Sequence, residues 1–152
     1  MIFPFTIKYQ KHIDVKVSTQ NVEPLMNFIE EFITKKNGEN VTISAAKLKF
    51  SSSIFSGHSW SILGPIEKGE FNIFIENNTY KLSYEFFMFR LFIIVSIMSI
   101  FMWLVSKEVE VLLMCFAWLG GMNWFIAIIR HRLMFRKLII GINNKLAQDK
   151  PI

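Results

Sequence analysis

The chain contains one cysteine, Cys115, and three scattered histidines, His12, His58 and His131. No disulfide can close within one chain, and no Cys/His cluster has metal-ligand spacing. A lone cysteine inside an apolar run reads as a small packing residue. Nucleotide-binding glycine loops, H-E-x-x-H, EF-hand and G-x-S-x-G patterns are all missing. His58 lies among Ser53, Ser56, Ser59 and Ser61. A nucleophile–base pair also needs an orienting group and an oxyanion hole, and the sequence signals neither. No cofactor or metal is therefore expected, and the protein reads as a non-enzyme. Arginine is absent from the first 85 residues, where nine lysines balance nine acidic side chains. The tail from Arg130 onward holds six basic residues against Asp149 alone. The basic pI of about 9.4 thus belongs to one flank and not to a folded domain. That pattern speaks against nucleic acid and for anionic lipid headgroups as what the flank meets. The N-terminus has no basic region ahead of an apolar run, so no signal peptide is expected and the first domain should stay where it is made.

What the chain does have is an apolar block from Phe86 to Ile129, broken once by Ser106–Glu110. Residues 86–105 and 111–129 are each about long enough to cross a ~30 Å hydrocarbon core at ~1.5 Å per helical residue. The expectation is a transmembrane helical hairpin with connector 106–110, embedded in the lipid bilayer, with both chain ends on one side. Arg130, Arg132, Arg136 and Lys137 flank the second span, and Arg90 sits one turn inside the first. The positive-inside rule then places both termini in the cytoplasm of a bacterial cell, in a multi-pass protein of the inner membrane.

Ahead of the hairpin, residues 1–85 read as a small cytoplasmic α+β domain, an antiparallel sheet with one helix. Phe3, Phe5, Ile7 and Tyr9, then Ile13, Val15 and Val17, alternate as one bent strand or a hairpin. Leu25, Phe28, Ile29, Phe32 and Ile33 recur at helical spacing, which predicts a helix over about 22–36 closed by Asn37-Gly38. One strand is predicted over 40–51 and a short one near Trp60–Leu63. A hairpin around Asn77-Asn78 joins strands 70–76 and 79–85. The last strand enters the first span without a flexible linker. Residues 130–152 read as a basic cytoplasmic helical tail. It either continues the second span or bends at Gly141 to lie on the membrane.

Candidate contact residues are few. Ala117 and Gly121 form a small-xxx-small pair, with Gly120 beside them, and Ser96 and Ser99 give the first span a small, weakly polar face. These residues pack the spans together, or pack a partner or a second copy. Asn123 is the most polar residue in either span and a candidate for helix association. In the loop Phe50–Pro65, Phe55 and Trp60 are candidates for interaction. The leading expectation is an accessory subunit or scaffold of an inner-membrane complex. A homo-oligomeric pore and a membrane-held immunity or defence protein are the alternatives.

Overall fold

Alternation is the rule that organises the N-terminal half. In the computed structural model, which describes residues 5–16, 22–52, 66–77 and 79–148, five strands form one antiparallel sheet in the order β1-β5-β4-β3-β2. They are β1 (Thr6–Lys16), β2 (Glu39–Ser44), β3 (Lys47–Ser51), β4 (Lys68–Glu76) and β5 (Thr79–Phe87). Side chains two apart share a face, and Tyr80, Leu82, Tyr84 and Phe86 of β5 are all buried on one. Register places Tyr9 and Phe71 on either side of Tyr84, and Leu48 beyond Phe71. The centre of this face is an aromatic stack: Phe71 lies 4.4 Å from Tyr84, and Tyr84 5.2 Å from Phe86, ring centre to ring centre. Phe50 pairs with Gly69, and a Cβ on Gly69 would fall 2.1 Å from the Phe50 ring. Glycine is what lets that ring lie over the neighbouring strand.

The single strand predicted over 40–51 is instead two, β2 and β3. Ala45 takes a left-handed backbone, φ 51°, and the chain reverses there. The hydrophobic alternation breaks phase at the same place, since Val41 and Ile43 are followed by Leu48 and Phe50. At the β4–β5 turn Asn77 adopts φ 50°, the conformation that asparagine tolerates better than most non-glycine residues. The short strand expected near Trp60–Leu63 lies outside the described residues.

Two helices, not one, cover the buried face of the sheet. The first, α1 (Val22–Thr34), buries Leu25, Met26, Ile29 and Ile33. It ends where Asn37 turns left-handed, φ 63°, and Gly38 donates to the Ile33 carbonyl at 3.0 Å. The second cover is the C-terminal half of a long helix labelled α4 below. Residues 130–148, read as a basic tail, continue the second apolar helix without a break, and Met134, Phe135, Leu138, Ile139 and Ile142 are buried against the sheet and α1. The reason is spacing: these residues recur on one side of a 3.6-residue helix, and the sheet offers them an aromatic face. Leu133, just before this stripe, is exposed. Gly141 is not a bend. A Cβ there would meet the Phe28 ring at 3.1 Å, so this glycine is where α4 crosses α1 closely.

Between the two halves stands the helical hairpin. It consists of α2 (Phe89–Ser106), α3 (Val109–Cys115), a π-helical turn (Phe116–Gly121) and α4 (Met122–Gln148). Phe86 and Phe87, assigned to the first span by hydropathy, belong to β5, and Phe86 is core. The connector shrinks to Lys107-Glu108. Lys107 adopts φ 62° and its N–H caps the Trp103 carbonyl at 2.7 Å. By length and composition two helices, Phe89–Ser106 and Val109–Lys145, could cross a membrane, and only 11 % of each apolar window is buried. Core helices of a water-soluble domain would be mostly buried, whereas these two apolar windows are left largely uncovered by the described residues.

Candidate functional site

The hairpin and the sheet are joined at two points. Met88 alone separates β5 from α2, and its N–H donates to the Phe5 carbonyl at 2.9 Å. Phe5 packs edge-on against Phe89 at 5.1 Å and Phe92 at 5.0 Å, forming an aromatic collar where strand becomes helix. The second joint is polar. The Tyr9 hydroxyl donates to the Ile128 carbonyl of α4 at 2.9 Å, and the Tyr84 hydroxyl shares a 2.9 Å hydrogen bond with His131 Nδ1. Tyr84 and His131 are both fully buried. Burial, with a smaller contribution from neighbouring Tyr9, pushes the Tyr84 phenol well above its ordinary range. Burial also raises Tyr9, against the pull of Arg132. Sequence reading missed this joint because His131 stands next to Arg130 and Arg132 and reads as flank charge. The usable signal was its position four before Phe135 and seven before Leu138, on the face that the sheet covers.

Within the hairpin the three small residues divide their work. Gly120 is buried, and a Cβ there would meet Val95 of α2 at 3.2 Å. Gly121 has open space where a Cβ would go, and Ala117 is exposed. Together with Trp118 and Met98, Met102, Met114 and Met122 they line an apolar groove of about 710 Å³. Ser99 is buried inside the hairpin, its hydroxyl without a hydrogen-bond partner among the described residues, and Ser96 is half-buried. Asn123 spends its amide on its own helix, donating to the Leu119 carbonyl at 2.6 Å. That carbonyl lies in the π-helical turn, where the i→i−4 ladder is interrupted. Arg90 is half-buried and reaches the Ser52 carbonyl at 3.5 Å. Arg132, Arg136 and Lys137 are exposed on α4 and Arg130 is half-exposed. Phe55 and Trp60 lie outside the described residues, as does the serine-rich loop around His58.

Among the described residues no group of three His, Cys, Asp or Glu side chains is placed to hold a metal. Comparison with protein-family models, with curated proteins and with solved structures gave no match. The geometry itself offers an outward apolar groove, a strand-to-helix junction of a single residue and a buried tyrosine–histidine pair.

Proposed function

We propose that the chain is an integral membrane protein whose hairpin crosses the bilayer and whose sheet domain is held rigidly on the cytoplasmic face. It serves without catalysis, as an accessory subunit or scaffold of an inner-membrane complex. The observation that carries this reading is the girdle of large apolar side chains exposed around the hairpin, from Ile93, Ile97 and Phe101 on α2 to Leu113, Trp118 and Phe125 on the returning limb. A patch of that extent is far beyond what a soluble monomer leaves in water, and hydrocarbon is the solvent that suits it. The basic residues after Ile129 favour both termini inside. The outward Ala117/Gly121 pair supports a docking role, because of the three small residues it is Gly120 that lies against Val95 of α2, while Ala117 and Gly121 stay exposed to a neighbouring helix. A pore made by multiplying the hairpin has less behind it. Ser99 faces inward and the Asn123 amide is occupied, so no polar stripe runs along either helix.

The test is a membrane preparation washed at alkaline pH and then extracted in mild detergent. The protein is expected to resist the wash and to leave the column with a stoichiometric companion that Gly121→Val loses. Release into the wash would end the membrane reading. A solitary monodisperse monomer would end the scaffold reading.

A further inference from the structure

The sheet face turned away from the helices carries a cleft of about 390 Å³ at the end where α2 departs. We propose that this cleft binds the headgroup of a phospholipid of the phosphatidylethanolamine class, an inference that rests on the membrane reading above. Place and chemistry both carry it. Phe87 is cross-strand partner to Thr6 on one side and Lys68 on the other, and this row is the last before Met88 and α2. The next row along the same face holds, in order across the strands, Lys8, Glu85, Glu70 and Lys49. Thr6, Lys49, Lys68, Glu85 and Phe87 all line the cleft. The Phe87 ring stacks on Phe89 at 6.2 Å, so the apolar wall of the cleft runs on into the first turn of α2. A lipid lying along α2 would set its headgroup here.

The charges are arranged for a zwitterion. Glu70 is already spoken for: Lys47 Nζ and Asn72 Nδ2 both reach its Oε1 at 2.6 Å. Lys49, Lys68 and Glu85 make no ion pair among the described residues. Lys49 faces Glu70 across the strands without closing an ion pair on it; two ammonium groups outside any ion pair suit a phosphodiester, and the Glu85 carboxylate suits a primary ammonium. A choline headgroup has no N–H to give Glu85, and a glycerol headgroup has no cation. Ethanolamine supplies both charges.

The experiment uses the full chain in nanodiscs holding equal amounts of phosphatidylethanolamine, phosphatidylglycerol and phosphatidylcholine, with retained lipid counted by native mass spectrometry. The wild type is expected to keep phosphatidylethanolamine preferentially. The K49A/K68A double variant should retain about tenfold less, the scale of losing charge-assisted contacts. E85Q should keep lipid but no longer prefer ethanolamine over glycerol. Lys11 is exposed on β1, opposite Leu82 and outside the cleft, so K11A should change nothing. The proposal fails if K49A/K68A retains as much lipid as the wild type, or if the wild type holds all three lipids equally. Displacement by micromolar glycerophosphoethanolamine would assign the cleft to a soluble phosphoester and overturn the lipid assignment. Flotation with vesicles separates the two levels. A chain that does not float loses the membrane reading, and one that floats without selective lipid loses only this cleft.

Discussion

Leu138 decides whether the end of the chain is a lipid-facing tail or part of the core. It is fully buried, whereas Lys137 beside it is exposed and Ile140, two residues on, is 50 % exposed. Leu→Ala at a sealed site costs about 2–5 kcal/mol, the removed atoms plus the cavity they leave. An exposed site away from caps and networks moves stability by about 0.5 kcal/mol or less. For a unit of this size 1 kcal/mol shifts the melting temperature by roughly 4–8 °C. Leu138→Ala should therefore lower the melting temperature of the sheet domain by roughly 10 °C or more, while Lys137→Ala leaves it nearly unchanged and Ile140→Ala falls between. Near-ultraviolet circular dichroism of the full chain in detergent reads the transition through the tyrosines and tryptophans. Similar melting temperatures for Leu138→Ala and Lys137→Ala would refute the packing of α4 on the sheet. A helix lying on lipid would show its loss as weaker membrane association, with the sheet's transition unmoved.

Tyr84→Phe removes the hydroxyl from its buried bond with His131 and should destabilise the domain by about 1–3 kcal/mol, measured by urea titration. The phenols of Tyr84 and Tyr9 are raised in the folded chain, so the stability they carry is present below the unfolded value near 10.0 and is lost as pH climbs through the folded values. Tyrosinate absorbance should show these two ionising late, together with alkaline unfolding; early, non-cooperative ionisation would contradict their burial. Gly120→Val should destabilise the hairpin by about 1–3 kcal/mol through the clash with Val95, and Gly121→Val should leave the isolated protein's stability alone. Equal effects of the two, in a detergent unfolding assay, would remove the distinction between inner and outer glycine. Gly69→Ala drives a methyl into the Phe50 ring, which Phe71 and Tyr84 hold in a stack, and a loss of about 1–3 kcal/mol is expected; an unchanged melting temperature would mean that the ring moves aside freely.

Local signals carried much of the architecture. Helix α1 was legible from its 3.6-residue spacing and its Asn37-Gly38 end, and the β4–β5 hairpin from alternation around Asn77. The two long apolar helices follow from hydropathy alone. Boundaries were less legible. Hydropathy assigned Phe86 and Phe87 to the span because an aromatic residue in a buried strand and one in a hydrocarbon-facing helix have the same polarity. The candidate contacts suffered the same ambiguity. Ala117, Gly120 and Gly121 are all small, and only their rotation about the helix, altered by the π-helical turn, separates the glycine that touches Val95 from the pair that faces outward.

The apolar hairpin, the basic flank after Ile129 and the alternating strands are legible in the chain itself, because each is a periodicity or a run that needs no distant partner. The role of residues 130–148 came from packing. Seen alone, a helix bearing Arg132, Arg136 and Lys137 on some sides and Phe135, Leu138 and Ile142 on another suits a membrane surface and a protein core equally well. The sheet and α1 supplied the missing partners, with Tyr84 for His131, Tyr9 for the Ile128 carbonyl and Phe28 of α1 for the bare face at Gly141. Those contacts join residues far apart in the chain, and no local pattern records them.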